Sequence, residues 1–221
     1  MKNIKAIIFD AYGTLFDVNS AAKKCKSKIG DKWEIFSNYW RTTQLEYTWL
    51  RSLMDRHKDF WQITEDSLDK SMRVFEIDPD MKEELLNLYK VLSPYSEVEK
   101  ILKLLKANNR KLAILSNGTP HLLNQLVHSN NLDNLFDNIF SIEEVGIYKP
   151  SSKVYDIPVK NYKIKKNEIA FLSANTWDVS GAGNYGYQSI WVNRNSIVFD
   201  NLDYKPKYEI QSLKGILDII E

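Results

Sequence analysis

The stretch Lys5-Ala6-Ile7-Ile8-Phe9-Asp10-Ala11-Tyr12-Gly13-Thr14-Leu15-Phe16-Asp17 decides how this chain is read. A short run of Ile and Phe has the character of a strand buried on both faces of a parallel sheet. Asp10 closes that run, at the edge where open α/β sheets bind ligands. Gly13 lets the backbone turn sharply beside it. Burying a bare carboxylate is costly, so something must hold Asp10 charged or use it. The competing reading is that Asp10 only caps the following turn, a place that Asp also favours.

The pattern beyond this strand is helical from about Ser20 to Leu92. Trp33, Phe36 and Trp40, then Leu45, Trp49 and Leu53, recur as on one helix face. Leu68, Met72 and Phe75 mark a second helix. Asp78-Pro79 predicts a third, an N-cap followed by Pro at the first helical position, running through Met81, Leu85, Leu88 and Leu92.

After Pro94 strands and helices alternate. Ser96-Glu97-Val98-Glu99 reads as a capping box opening a helix to about Ala107. Strands are predicted near Leu112 to Leu115, Ile139 to Ile142, Ile169 to Leu172 and Ser189 to Val192. Thr119-Pro120 caps a helix to about Ser129. Ser151 starts another, which Pro158 should kink or shorten. Val179 starts a short helix, and a last one begins near Ser212. Alternation of this kind implies a parallel sheet with right-handed crossovers. The expected architecture is an α/β core domain, residues 1–16 and 94–221, with an all-helical cap inserted at 17–93. A cleft between the two would be a natural pocket.

The 221 residues suffice for a sizeable core. A net charge of +1 gives no electrostatic case for a nucleic-acid partner or an acidic membrane surface. Lysines are spread along the chain and read as solvated surface. With one cysteine, Cys25, neither an intramolecular disulfide nor a Cys-based zinc site is expected. The N-terminus runs straight into a strand without a signal region. No apolar run approaches the roughly 18 residues of a membrane span. A cytoplasmic location is the simplest expectation.

Three further polar clusters follow predicted strands. They are Ser116-Asn117, Lys149-Pro150 and Ser173-Ala174-Asn175-Thr176-Trp177-Asp178. Taken singly, each has an ordinary reading: a loop hydroxyl, a surface lysine, an N-cap. In a parallel sheet all strand C-termini share one edge, so together they should converge on Asp10.

These residues carry a family resemblance. The chain resembles the haloacid dehalogenase (HAD) superfamily through the Asp10–Thr14 motif, Ser116, Lys149-Pro150 and the acidic last loop. Within it, L-2-haloacid dehalogenases are the nearest match. Trp40-Arg41, Gln44-Leu45-Glu46-Tyr47 and Trp49-Leu50-Arg51 look like their first cap helix. Leu115-Ser116-Asn117-Gly118, Tyr148-Lys149-Pro150 with Tyr155, Ser173 through Gly181, and Trp191-Val192-Asn193-Arg194 follow in order. The fold implied is a Rossmann-like parallel-sheet core with a helical cap.

Two residues separate this chain from the magnesium-dependent phosphatases of the superfamily. Those enzymes carry a general-acid Asp two positions after the nucleophile, where this chain has Tyr12. They also carry a metal-binding Asp where this chain has Ala174. Magnesium needs hard oxygen ligands, which Ala lacks. No metal and no cofactor is therefore expected. A phosphatase of the same fold and a small-anion binding module are the alternatives to a dehalogenase.

The resemblance implies two-step hydrolysis of short 2-haloalkanoates. Asp10 attacks the halogen-bearing carbon and forms an ester, with inversion from L-2-haloacid to D-2-hydroxyacid. Lys149 keeps Asp10 ionised, and Thr14 holds it in place. Arg41, Asn117 and the Trp177 ring edge cradle the departing halide. Ser116, Lys149 and backbone amides near Ala11 and Tyr12 take the substrate carboxylate. Asp178 orients or activates the water, with Ser173 and Asn175 around it and Tyr155 in support. Tyr12, Leu45, Phe60 and Trp177 wall the alkyl group, although Phe60 is as readily a core residue. Position 42 is Thr, where the relatives are expected to carry Gln, which implies a wider pocket. A homodimer is expected, with the aromatic-rich first cap helix as its interface.

Overall fold

The computed structural model describes residues 1 and 3–220. Its strands, among the described residues, are β1 (Ala6–Phe9), β2 (Lys111–Ser116), β3 (Asn138–Ser141), β4 (Ile169–Ser173), β5 (Gln188–Val192) and β6 (Tyr208–Ile210). They form one sheet in the order β3-β2-β1-β4-β5-β6, and every pairing is parallel. β1 is central, with Phe9 opposite Ile114 on one side and Leu172 on the other. Its four residues are buried, as expected of an apolar strand covered on both faces.

Between β1 and the rest of the sheet lie α1 (Ser20–Lys24), α2 (Lys26–Ile29), α3 (Trp33–Leu53), α4 (Phe60–Val74) and α5 (Lys82–Tyr89). The remaining α-helices among the described residues are α6 (Val98–Ala107), α7 (Pro120–Ser129), α8 (Ser152–Tyr162) and α9 (Thr176–Tyr185). The chain leaves and re-enters the sheet region along paired linkers. Phe16 bridges Pro94 in antiparallel fashion, and Tyr95 N donates to Leu15 O at 3.0 Å. The inserted helices therefore hang from a two-stranded neck beside Asp10. The loop between α3 and α4 contacts the segment after β3: Tyr148 Oη donates to Lys58 O at 2.6 Å, and His57 Nε2 lies 2.9 Å from Glu143 Oε2. No helix among the described residues is long and apolar enough to cross a membrane.

Several local expectations need correction. The Ser96 capping box does not form: the N-cap of α6 is Glu97, with no side-chain cap. Glu97 is instead buried against Arg194, and Glu99 pairs with Lys103 one turn on, at 2.6 Å. Pro158 does not shorten α8, which carries it in its interior and runs on to Tyr162. The face bearing Val154, Tyr155, Ile157 and Pro158 is buried, and that burial offsets the lost backbone hydrogen bond. α9 starts at Thr176 rather than Val179, because Asn175 O already accepts from Val179 N at 3.0 Å. Asp78 caps a 3-10 turn before α5, and the chain ends in 3-10 turns over Leu213–Asp218 rather than an α-helix. β6 was not expected. It is three residues long, too short for a periodic signal, and it follows Lys205-Pro206-Lys207, residue types that suit a sheet edge.

Candidate active site

The parallel sheet brings Asp10, Ser116 and Ser173 to neighbouring strand ends on one edge, as β1 lies between β2 and β4. Lys149 arrives from the segment between β3 and α8. Its side chain is fully buried, and its backbone N donates to Asn117 Oδ1 at 3.2 Å. Asp10 itself is 4% exposed.

The two oxygens of Asp10 are treated unequally. Oδ2 accepts from Thr14 Oγ1 at 3.0 Å and from Asn175 Nδ2 at 2.9 Å, with Ser173 Oγ at 3.5 Å. Oδ1 meets Lys149 Nζ at 3.1 Å. Thr14 is fixed in turn, because its hydroxyl accepts from Ala174 N at 2.8 Å. Gly13, at φ 86°, takes the left-handed conformation that the turn between Asp10 and Thr14 requires. The Ala11 carbonyl gathers the amides of Thr14, Leu15 and Phe16. The amides of Ala11 and Tyr12 donate to nothing among the described residues, and both residues are buried.

Lys149 Nζ also bonds Asp178 Oδ2 at 2.9 Å, and Tyr155 Oη donates to Asp178 Oδ1 at 2.7 Å. One ammonium thus serves two buried carboxylates. Burial works against the Lys149 charge, but Asp10 and Asp178 outweigh it and hold the ammonium above its usual pKa. Burial pushes Asp178 up to about 6, against the opposing pull of Lys149. Burial likewise drives Tyr155 well above its usual value, so it stays a neutral donor.

Beside this cluster, meeting it at Asn175, lies a cavity of about 360 Å³, lined by Gly13, Ala174, Asn175 and Trp177 from the sheet side, by Arg41, Thr42 and Leu45 from α3, and by Tyr95 and Arg194. Arg41 is half-buried, and its Nη1 donates to Gln44 Oε1 at 2.8 Å. Trp177 meets Trp49 edge to face at 5.5 Å. Tyr12 packs on Phe60 at 5.0 Å and stacks on Tyr89 at 5.7 Å. Ser116 is fully buried, and its Oγ accepts from Gly118 N at 3.2 Å. Thr42 is exposed at the cavity mouth.

The expected residues fall into a bonded cluster and a lining. Asp10, Thr14, Lys149, Tyr155, Ser173, Asn175 and Asp178 share one hydrogen-bond network, which Asn117 joins through the Lys149 backbone. Arg41, Leu45 and Trp177 line the cavity. Ala11, Tyr12, Phe60 and Ser116 are buried around the cluster, and none of the four has a side-chain hydrogen bond to Asp10. Two contributors were quoted in the sequence reading only within its motifs, with no role given. Gln44 is buried on α3, where it accepts from Arg41 and donates to Thr64 Oγ1 at 2.7 Å. A buried amide on an otherwise aromatic face was its available signal. Arg194 reaches Thr14 O at 2.8 Å, and nothing local to its position in the sequence indicates this.

The donor set does not suit a divalent cation. An ammonium, not open space, lies between Asp10 and Asp178, and Ala174 offers no oxygen ligand.

A family model described as a haloacid dehalogenase-like hydrolase matches residues 4–186. The chain is 40% identical to the (S)-2-haloacid dehalogenase of Pseudomonas sp. strain YL over 100% of this chain and 96% of that one. A solved dehalogenase structure superimposes with a TM-score of 0.97 at 33% identity, over 99% of this chain and 98% of that one. The L-2-haloacid dehalogenase of Xanthobacter autotrophicus with chloropropionic acid covalently bound gives a TM-score of 0.88 at 30% identity, over 98% of each chain.

Proposed function

The chain belongs to the haloacid dehalogenase-like hydrolase family, and from that premise we propose that it hydrolyses short-chain L-2-haloalkanoic acids to D-2-hydroxyalkanoic acids. The protein is a carbon–halide hydrolase that works through an ester on Asp10. One observation carries this mechanism. Asp10 Oδ2 is anchored by Thr14 and Asn175, with Ser173 beyond, while Oδ1 meets a single cation. Oδ1 is thus the oxygen placed to attack.

In the first step Oδ1 bonds the halogen-bearing carbon from the face opposite the halogen. The carbon–halogen bond breaks, the centre inverts and halide leaves with the electron pair. Arg41, Asn117 and Trp177 receive the halide. Ser116, Lys149 and the free amides of Ala11 and Tyr12 take the substrate carboxylate. Tyr12, Leu45, Phe60 and Trp177 enclose the alkyl group.

In the second step water attacks Cγ of the ester. Negative charge then gathers on Oδ2, where Thr14, Asn175 and Ser173 already donate. Donors fixed in advance on a developing oxyanion are a large source of catalysis. Asp178 takes the water proton, steadied by Lys149 and Tyr155. On collapse the departing alkoxide takes the proton back from Asp178 and leaves as the 2-hydroxyacid, and the proton on the restored Asp10 carboxyl passes to solvent, for a net yield of one halide and one proton per turnover.

The same reading divides the chain into a core of residues 1–16 and 94–221 and a helical cap of 17–93. It makes the protein a cytoplasmic homodimer that pairs through α3. Ile35, Leu50 and Leu53 on that helix, with Met54 just beyond it, are exposed apolar residues that a partner would cover. Cys25, the sole cysteine, is free, which suits a reducing compartment.

The test is halide release from L-2-chloropropionate in the presence of a chelator, with the D-enantiomer and an Asp10→Ala variant alongside. Chloride from the L-acid alone, indifferent to chelator and absent in the variant, supports the reading. No chloride from either enantiomer overturns it. Chelator-sensitive phosphate release from a small ester would install the phosphatase reading instead.

A further inference from the structure

Arg194 has no part in the reaction derived above, yet it reaches the wall of the same cavity, is largely covered and is held on three sides. Its side chain is 9% exposed, and that of its partner Glu97 is 7% exposed. Nη2 donates to Thr14 O at 2.8 Å. Nη1 pairs with Glu97 Oε1 at 2.7 Å. The guanidinium lies over the Tyr95 ring at 3.8 Å. Nε is buried and bonds to nothing among the described residues, so the two Nη groups and the ring set its orientation.

These partners lie on the two linkers of the neck. Thr14 belongs to the segment that leaves β1. Tyr95 and Glu97 belong to the segment that returns into α6, and Tyr95 N bonds Leu15 O. Glu97 also accepts from Leu213 N at 3.3 Å, which ties the fork to the C-terminal turns. A planar guanidinium satisfies two acceptors on separate segments at once; an ammonium is a point donor and does not reproduce that geometry.

We propose that Arg194 is a positioning residue for the nucleophile: by clamping the Thr14 carbonyl against the returning linker, it keeps the Thr14 hydroxyl aimed at Asp10 Oδ2. The inference rests on the dehalogenation reading and adds to it a residue outside the reacting cluster. The chain of contacts is short. Arg194 fixes the Thr14 peptide, Ala174 N fixes the Thr14 hydroxyl at 2.8 Å, and that hydroxyl reaches Asp10 at 3.0 Å. Without the clamp, the Thr14 peptide loses a charge-assisted partner, and Ala174 N alone is left to hold the hydroxyl on Asp10.

The experiment is a double-mutant cycle in steady-state halide release from L-2-chloropropionate, using Arg194→Gln, Thr14→Ala and the pair. Thr14→Ala removes the hydroxyl but keeps the carbonyl that Arg194 holds. Loss of one aimed hydrogen bond in the transition state predicts that Arg194→Gln lowers kcat by about tenfold or more, with KM changed by less than about twofold. In the Thr14→Ala background the same substitution should cost less than about twofold, since its target is gone. Arg194→Lys keeps the charge beside Glu97 and loses the fork, so it should show the same kcat loss even if Arg194→Gln fails to fold. A full, additive loss in the Thr14→Ala background overturns the proposal, as does a kcat unchanged in both Arg194 variants. Active wild-type protein with unaffected Arg194 variants removes this inference alone. Wild-type protein that releases no halide removes the dehalogenation reading and this inference with it.

Discussion

The Lys149 ammonium sits 3.1 Å from Asp10 Oδ1 with both side chains buried, although 139 positions of sequence separate them. The same ammonium bonds Asp178, so the site holds two carboxylates and one cation away from water. Deleting the cation leaves two buried acids facing each other, and one of them must take up a proton. Lys149→Met should therefore abolish halide release. It should also destabilise the protein by about 3–5 kcal/mol, the usual cost of breaking a buried pair from one side. Thermal unfolding and chloride release measured together check this. A variant with wild-type Tm and measurable turnover would contradict the arrangement.

Asp178 gives the pH dependence its sign. Burial raises its carboxyl to about 6, so it is protonated below that pH and unavailable as a base. The kcat profile should fall on the acid side with a midpoint near 6. The Tyr155 hydrogen bond acts to lower the Asp178 value, so Tyr155→Phe should move this limb to higher pH. Stability runs the other way. A raised carboxyl pKa contributes stability below the ordinary value of 3.8, and that contribution is lost as pH rises through about 6. A kcat profile flat from pH 5 to about 8 would remove Asp178 from the proton transfer.

Arg41 makes a prediction about the leaving group. It lines the cavity from α3 and is braced by Gln44. A donor aimed at developing charge matters most for the poorest leaving group. Arg41→Gln should cut turnover of 2-chloropropionate by about 10²–10³-fold. It should cut turnover of 2-bromopropionate less. Equal losses on the two acids would place Arg41 on the carboxylate instead of the halide.

The exposed apolar residues of α3 bear on assembly. Leu53 is 82% exposed and Ile35 60% exposed. Light scattering should give twice the 25.8 kDa of one chain. A Leu53→Glu substitution should shift the protein towards the monomer. A wild-type monomer at working concentrations would remove α3 as an interface.

The fold was legible where side chains report their surroundings locally. The apolar run before Asp10 marked a buried parallel strand, and the polar clusters after successive strands marked the sheet edge where the candidate site lies. What escaped depends on distant partners. Glu97 reads as part of a capping box until Arg194, remote in sequence, is seen to claim its carboxylate. Pro158 reads as a helix breaker until the burial of its helix face is known. β6 is three residues of a tail without periodicity, held by pairing to β5. Within the candidate site, the residue types were readable, but the unequal treatment of the two Asp10 oxygens was not. That inequality arises from Thr14 and Asn175 approaching from one side and Lys149 from the other.

The most direct test of the central claim is a single turnover of L-2-chloropropionate in ¹⁸O-labelled water with enzyme in excess. Hydrolysis of an Asp10 ester at Cγ predicts that the label enters the Asp10 carboxylate, found by mass on the peptide that contains it, and that the first-formed D-2-hydroxyacid is unlabelled. Label in the hydroxyacid of the first turnover, with none on Asp10, would mean that water attacks the substrate directly and would contradict the account.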